Sequence, residues 1–240
     1  MNPVIDTLLA HRSIRKFQDK ALTEDQVTTV IDCARAASSS SFIQCTSIIR
    51  VIDKEKRRLL AEYAGNQAYV ADAAEFFVWC LDFNRHLQIK PDAQLGFTEQ
   101  TLIGAIDTAL MAQNALAAAE SMGLGGVYIG GIRNNPDKVS ELLNLPEYVA
   151  PLFGLCLGYP AQDPEVKPRL PSSLLVHTDE YQPLDKDELA KYDEEVRHYY
   201  RTRTGGTKEM TWSEQIDGTL GKESRPFMKA FIESKGLSVK

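Results

Sequence analysis

The sequence predicts an α+β fold, and three observations predict it. Helix-type and strand-type segments are interleaved without a regular βαβ alternation and without internal repeats, which points to packed layers rather than a doubly wound parallel sheet. Phe76 to Phe83 is a near-continuous apolar run of strand length, as expected of a strand covered on both faces. Thr98 to Met122 is the longest periodic segment and is apolar almost all the way round, so it belongs in the middle of a core or against a second copy of the chain.

Each element has its own local reason. Asn2 before Pro3 is an N-cap with proline at the first helical position, and Val4, Ile5, Leu8 and Leu9 follow on one face. Thr23 with Gln26 forms a capping box, and Val27, Val30, Ile31 and Ala34 recur at helical spacing, so residues 24 to 37 read as a helix. Ser47 to Ile52 reads as a strand, and Lys54 to Ala64 as a helix stopped by Gly65. The long helix from Thr98 ends at Gly123. A short strand follows at Val127 to Ile129, then a helix from Asn134 to Asn144 and a strand from Leu152 to Leu157. Pro160 to Pro171 is proline-rich and polar, hence an extended surface connection. From Lys186 to Lys240 the chain is helical and more charged, interrupted by RTRTGGTKE. The compositional shift near residue 160 divides a core, 1–160, from a helical excursion, 161–240, within one integrated domain.

Bulk properties exclude several classes of function. The chain has 240 residues, 43% hydrophobic and 25% charged, ordinary values for a soluble globular protein. A net charge of −6 argues against a general nucleic-acid surface. No charge-free stretch approaches about 20 apolar residues, so no membrane span is expected. The start, MNPVIDTLLAHRSIR, lacks a basic segment before its apolar residues, so no signal peptide is expected. Cys33, Cys45, Cys80 and Cys156 are widely spaced with no CxxC, and read as reduced, mostly buried residues of a cytoplasmic protein. No HExxH or other tight His/Cys pattern is present, so no metal site is expected.

Five stretches could carry chemistry. HRSIR crowds His11, Arg12 and Arg15 around Ser13 in an acidic chain. On a helix or helix end Arg12 and Arg15 share a face, either as a solvated end that complements the helix dipole or as part of an anion site. SSSSFIQ, Ser38 to Gln44, is either a flexible turn or a set of hydroxyls and amides for a polar ligand. No GxSxG elbow is present, so a hydrolase serine is not indicated. GLGGVYIGG does not follow the strand, GxGxxG, helix order of a dinucleotide fingerprint. Gly130 and Gly131 at the far end of its strand would let a flat ligand approach bare backbone. In VKPRLP, Lys167 and Arg169 flank Pro168, and in an extended chain two cations two residues apart project together. RTRTGGTK puts three cations around two glycines, alone no more than a surface loop.

Taken together, HRSIRKF, AASSSSFIQ, AGNQAYV, GLGGVYIGG and EVKPRLP, with TWSEQ and ESRPF in the tail, resemble the nitroreductase superfamily. Within it they resemble the NADPH-dependent, FMN-containing flavin reductase and oxygen-insensitive nitroreductase group. The resemblance implies a central mixed or antiparallel sheet surrounded by helices, with the helical excursion covering the active site. It also implies a homodimer with FMN held tightly at the subunit interface. By the same resemblance His11, Arg12, Lys167 and Arg169 surround the FMN phosphate and ribityl chain, and Arg15 lies near flavin N1 and the C2 carbonyl. Ser13, Ser39 and Gln67 hydrogen-bond the cofactor, while the backbone of Tyr128, Ile129, Gly130 and Gly131 faces the ring. Arg203 reads the 2′-phosphate of NADPH. The wider superfamily often has asparagine where Phe42 stands, and the 205–210 stretch matches no family pattern.

The implied chemistry is a ping-pong cycle in which NADPH reduces the flavin and an acceptor (a nitroaromatic, a quinone or another flavin) then takes the electrons. The flavin carries the reaction and no side chain need act as nucleophile or strong base, in keeping with a sequence that shows no triad or carboxylate pair. Two rival readings stand beside it: a dedicated flavin reductase that supplies free reduced flavin to a partner enzyme, and a non-enzymatic flavin carrier.

Overall fold

The computed structural model describes residues 2–203, 205 and 208–240. It divides into two compact units, one running to Asp163 and resuming at Arg225–Lys240, the other Pro164–Ser224. The first break lies close to the compositional shift near residue 160. The last 16 residues, expected in the excursion, instead return to the first unit.

The first unit is built on four strands, β1 (Thr46–Arg50), β2 (Glu75–Asp82), β3 (Gly125–Ile129) and β4 (Val149–Gly158), in the order β1-β2-β4-β3. Every pair is antiparallel. All eight residues of β2 are buried, because the sheet is covered on both faces. Successive strand side chains point to opposite faces, so Phe77 and Trp79 pack against α2 (Glu24–Arg35) and α6 (Thr98–Ser121), meeting Val27, Val30, Ala112 and Leu116. Phe76, Val78 and Cys80 pack the other way, against Leu60 and Ala61 of α3 (Lys54–Tyr63) and Val139 of α7 (Pro136–Leu142). A third cluster joins Leu81, Phe83 and Ala150 to Phe231 of α10 (Met228–Ser234), which is why the C-terminus belongs to this unit.

The β2–β4 register shifts between Trp79 and Cys80, which pair with Phe153 and Pro151. Leu152 is left without a partner in that register, and the bulge falls beside a proline that has no N–H to give the ladder. The free Leu152 carbonyl accepts a hydrogen bond from Arg133 instead, so a ladder irregularity anchors an arginine near the end of β3.

α6 buries Gly104, Asp107, Thr108, Ala112, Ala115, Leu116 and Ala119 against the sheet and leaves Leu102, Ile106 and Leu110 exposed. By length and hydropathy alone it would suffice to cross a membrane, although Asp107 interrupts its apolar run. The buried carboxylate and the small residues that seat the helix on the sheet mark it as a core helix with one apolar face outside. α1 (Pro3–Leu9) likewise exposes Val4, Ile5, Leu8 and Leu9. Two short helices, α4 (Tyr69–Asp72) and α5 (Asn84–Ile89), lack caps or periodicity strong enough to announce them.

The second unit holds α8 (Lys186–Thr202) and α9 (Trp212–Leu220). Its small core is Tyr192, Val196 and Tyr200, packed with Leu170, Met210 and Trp212. Asp185 caps α8, and a Thr211–Glu214 capping box starts α9.

Candidate active site

The cation-rich segment is not a helix end. α1 stops at Leu9, and residues 11–16 form neither helix nor strand but are tied to the start of β3. The Ile14 N–H donates to the Gly126 carbonyl at 2.9 Å and Phe17 bridges Pro160. Ile14 is buried between Arg12 and Arg15, of which Arg12 is half-buried and Arg15 is exposed. The expected shared face of Arg12 and Arg15 is therefore corrected. Arg12 pairs with Asp163 and reaches the Ala10 carbonyl at 3.1 Å, whereas Arg15 is exposed and has no side-chain hydrogen bond or ion pair among the described residues. His11 Nδ1 lies 2.6 Å from the mostly buried Glu120 of α6. His11 and Arg12 thus already face carboxylates, while Arg15 does not among the described residues. Ser13 is half-buried in the same segment. Arg12, Ile14, Glu120, Gly125 and Asp163 line a cavity of about 870 Å³ at the start of β3.

The loop after α2 is tied to α6. Ser39 Oγ donates to Asp107 Oδ2 at 2.6 Å and accepts the Gln44 N–H at 2.7 Å, while the Ser40 N–H donates to Asp107 Oδ1 at 3.1 Å. Cys45 lies 3.6 Å from the same carboxylate, and burial first, then the Asp107 charge, pushes its thiol up to about 12. Phe42 is 81% exposed at the tip.

Four residues along β3 from Gly126, roughly 13 Å away, the chain turns at Gly130. A second cavity of about 610 Å³ lies here, lined by Ile106, Gln113, Tyr128, Gly130, Arg133 and Phe153. Tyr128 stands edge-on to Phe153 at 5.4 Å, and its phenol is held above its ordinary value by burial and then by the Glu120 charge. Ile129 is fully buried as a whole residue, whereas Tyr128, Gly130 and Gly131 on either side of it are not. The two glycines differ. A Cβ on Gly130 would come near only Arg133, at 3.5 Å, whereas one on Gly131 would collide with the Ala64 carbonyl and the Gln67 amide. Gly130 leaves open space for a flat group, while Gly131 is required by close packing. Gln67 donates to the Ala64 carbonyl at 2.5 Å and accepts the Tyr69 hydroxyl, leaving one N–H and one lone pair for anything else.

Two arginines border this turn that the motif reading gave no role. Arg133 has its basicity lowered by burial first and then by the charge of Arg225. Arg225 donates to Asn134 Oδ1 at 2.8 and 3.0 Å and to the Gly130 carbonyl at 3.5 Å. Neither is ion-paired among the described residues, so positive charge collects beside Gly130. A single arginine in an otherwise unremarkable turn carries no periodic signal, although ESRPF had marked the neighbourhood of Arg225.

In the second unit, Lys167 Nζ donates to the Tyr200 hydroxyl at 2.9 Å, and Arg169 turns back onto the Lys167 carbonyl at 2.7 Å rather than projecting beside Lys167. The Tyr200 ring has Lys167, Arg203 and Lys208 each 5.0 Å from its centre. Arg201 is paired with Glu209. Of the loop expected to read NADPH, Thr204, Gly206 and Thr207 lie outside the described residues.

Comparison with known proteins gives one consistent result. The model of the nitroreductase family matches residues 8–89 and 98–159, and that of the nitroreductase family C-terminal domain matches residues 167–240. The chain is 57% identical over 240 residues to an oxygen-insensitive NADPH nitroreductase of Salmonella typhimurium strain LT2, with both chains fully covered. It is 56% identical to an NADPH-flavin oxidoreductase of Vibrio harveyi, with 99% of each chain covered. Its fold superposes on the solved NADPH:FMN oxidoreductase from Vibrio harveyi complexed with NAD+ with a TM-score of 0.94, at 54% identity and full coverage of both chains.

Proposed function

The chain belongs to the nitroreductase family, and from that premise we propose that it is an FMN-dependent oxidoreductase that takes electrons from NADPH and delivers them to nitro compounds, quinones or flavins. The observation that carries this reading is the end of β3. Gly130 leaves bare backbone open beside Arg133 and Arg225, two guanidiniums without carboxylate partners among the described residues. A flat ring that gains negative charge on reduction suits that place, because fixed positive charge in a partly buried site favours the charged form. When bound, FMN supplies the ring that accepts hydride from the nicotinamide and passes electrons to the acceptor. The protein's part is to orient and to bias. The Tyr128 to Gly131 backbone faces the ring, and Arg15 adds charge where the reduced ring is anionic. Ser13, Ser39 and Gln67 hydrogen-bond the cofactor, and His11, Arg12, Lys167 and Arg169 supply cations for the phosphate. His11 and Arg12 would exchange Glu120 and Asp163 for that phosphate. Arg203 reads the 2′-phosphate of NADPH.

A homodimer accompanies this reading. Val4, Ile5, Leu8 and Leu9 of α1 and Leu102, Ile106 and Leu110 of α6 are exposed apolar side chains on two helices that touch, the kind of patch that marks an interface.

The second reading, a dedicated flavin reductase, is favoured by the similarity to the Vibrio harveyi NADPH-flavin oxidoreductase. Steady-state turnover of a nitrofuran, a quinone and free FMN, measured side by side with NADPH, separates the two. Preference for the nitrofuran and quinone supports the first, and preference for free FMN the second. A purified protein that binds no flavin, or holds flavin that NADPH does not bleach, overturns both.

A further inference from the structure

Ser41, Phe42 and Gln44 adopt φ values of 48°, 58° and 52°, three non-glycine residues in left-handed backbone within four positions. That region is sparsely populated for such residues, and it persists only where the surroundings hold it. Three contacts do so: His86 Nε2 meets the Ile43 carbonyl at 2.6 Å, Arg85 donates to the Gln44 carbonyl at 3.3 Å, and Asp107 holds Ser39 and Ser40. Asp107 is 2% exposed and sits on the buried stripe of α6.

The hydrogen bonds of Ser39 decide what this clamp does. A serine hydroxyl has one proton and two lone pairs. Its proton goes to Asp107 Oδ2, and one lone pair takes the Gln44 N–H. The Asp107 oxygens accept from the Ser39 hydroxyl and the Ser40 N–H, and this fixed pair of contacts keeps the hydroxyl from turning round. One lone pair remains, and Ser39 can meet a ligand only as an acceptor. A phosphate oxygen without a proton, or a ring carbonyl, has nothing to give it. A hydroxyl has.

We propose that Asp107 is a positioning residue of the flavin site, holding Ser39 in a geometry and polarity that reads a ribityl hydroxyl of the cofactor rather than its phosphate or ring carbonyls. This rests on the FMN reading above and adds to it which part of the cofactor Ser39 meets and what sets its direction. The ribityl chain is favoured because it carries most of the donors of the molecule.

The test titrates FMN, riboflavin and lumiflavin, which lacks the ribityl chain, into the flavin-stripped full-length protein. Ser39→Ala should weaken FMN and riboflavin alike by about tenfold, the value of one ordinary hydrogen bond, and leave lumiflavin unchanged. Asp107→Asn, whose amide N–H can fill the last lone pair of Ser39 and turn its hydroxyl into a donor, should weaken both by less than Ser39→Ala, since a ribityl hydroxyl can also accept, and should likewise leave lumiflavin unchanged. The double variant should be no weaker than Ser39→Ala, because Asp107 acts through Ser39. Additive losses would make Asp107 merely structural and overturn the proposal. So would a loss confined to FMN, which points to the phosphate, or an equal loss of lumiflavin, which points to the ring or to the fold. If Asp107→Asn does not fold, Ser39→Ala with unchanged FMN affinity still overturns it. Wild-type protein that binds none of the three flavins refutes the FMN reading itself, a separate outcome.

Discussion

The Lys167 ammonium donates to the Tyr200 hydroxyl at 2.9 Å and stands 5.0 Å from the centre of the same ring. Burial by itself would push the Tyr200 phenol up, but the Lys167 hydrogen bond and the charges of Lys167, Lys208 and Arg203 outweigh it, and the phenol titrates below its ordinary value. A phenol lowered on folding favours the folded state as it ionises. The gain builds as pH rises through the folded value and is complete above the unfolded value of about 10. Lys167→Ala should raise the Tyr200 titration and remove that alkaline gain. Tyrosine absorbance against pH, with Tyr200→Phe as the blank, checks it.

The same lysine should carry a ligand effect. Lys167→Ala and Arg169→Ala are expected to weaken FMN more than riboflavin, since riboflavin lacks the phosphate. Titration of both flavins into each variant is the measurement, and equal losses would assign these cations to the fold or to the ring.

Arg15→Ala should lower FMN affinity by one to two decades, about 1.5–3 kcal/mol for a charge-assisted contact, and slow flavin reduction by NADPH. Arg15 is exposed and has no side-chain partner among the described residues, so its removal orphans nothing. The thermal midpoint of the flavin-free protein should therefore stay put while the flavin titration shifts.

Arg203→Ala should raise the KM for NADPH by one to two decades and leave NADH almost unchanged. A guanidinium can meet a 2′-phosphate bidentately, worth on the order of 1–3 kcal/mol after ordering costs. Arg203 stacks near Tyr199 and Tyr200 and has no acidic partner among the described residues, unlike Arg201, which is paired with Glu209. Steady-state kinetics with both nucleotides decide the matter, and a parallel loss for NADH would reassign the phosphate reader.

Stability offers an independent check on the sheet. Arg50 makes two hydrogen bonds to the buried Glu75 and two to Glu24. Arg50→Ala leaves the Glu75 carboxylate buried without this cation and should destabilise the fold by about 3 kcal/mol, the low end for a buried pair because Arg50 itself is partly exposed. Glu24→Ala, which removes only the exposed partner, should cost far less, because an exposed ion pair is screened by water. Chemical denaturation of the two variants compares them.

The sequence by itself determined the elements whose cause is local. The Thr23–Gln26 capping box, the proline that opens α1 and the uninterrupted apolar run of β2 act within a few residues, and each stands where its pattern put it. The end-to-end run of motifs likewise carried the family, because a motif is local by construction. Tertiary structure decided the rest. Residues 11–16 read as a helix end, but they form no helix and are tied to the start of β3 by the Ile14 bond to Gly126, with Arg12 half-buried and Arg15 exposed. Gly130 and Gly131 are indistinguishable in a string of letters, yet one faces open space and the other the Ala64–Gln67 turn, because the difference lies in a segment more than sixty residues away. Asp107 was visible only as a stray charge in an apolar helix. That it fixes the proton of Ser39 follows from a contact across 68 residues, and no local propensity encodes which way a hydroxyl points once a buried carboxylate has claimed its proton.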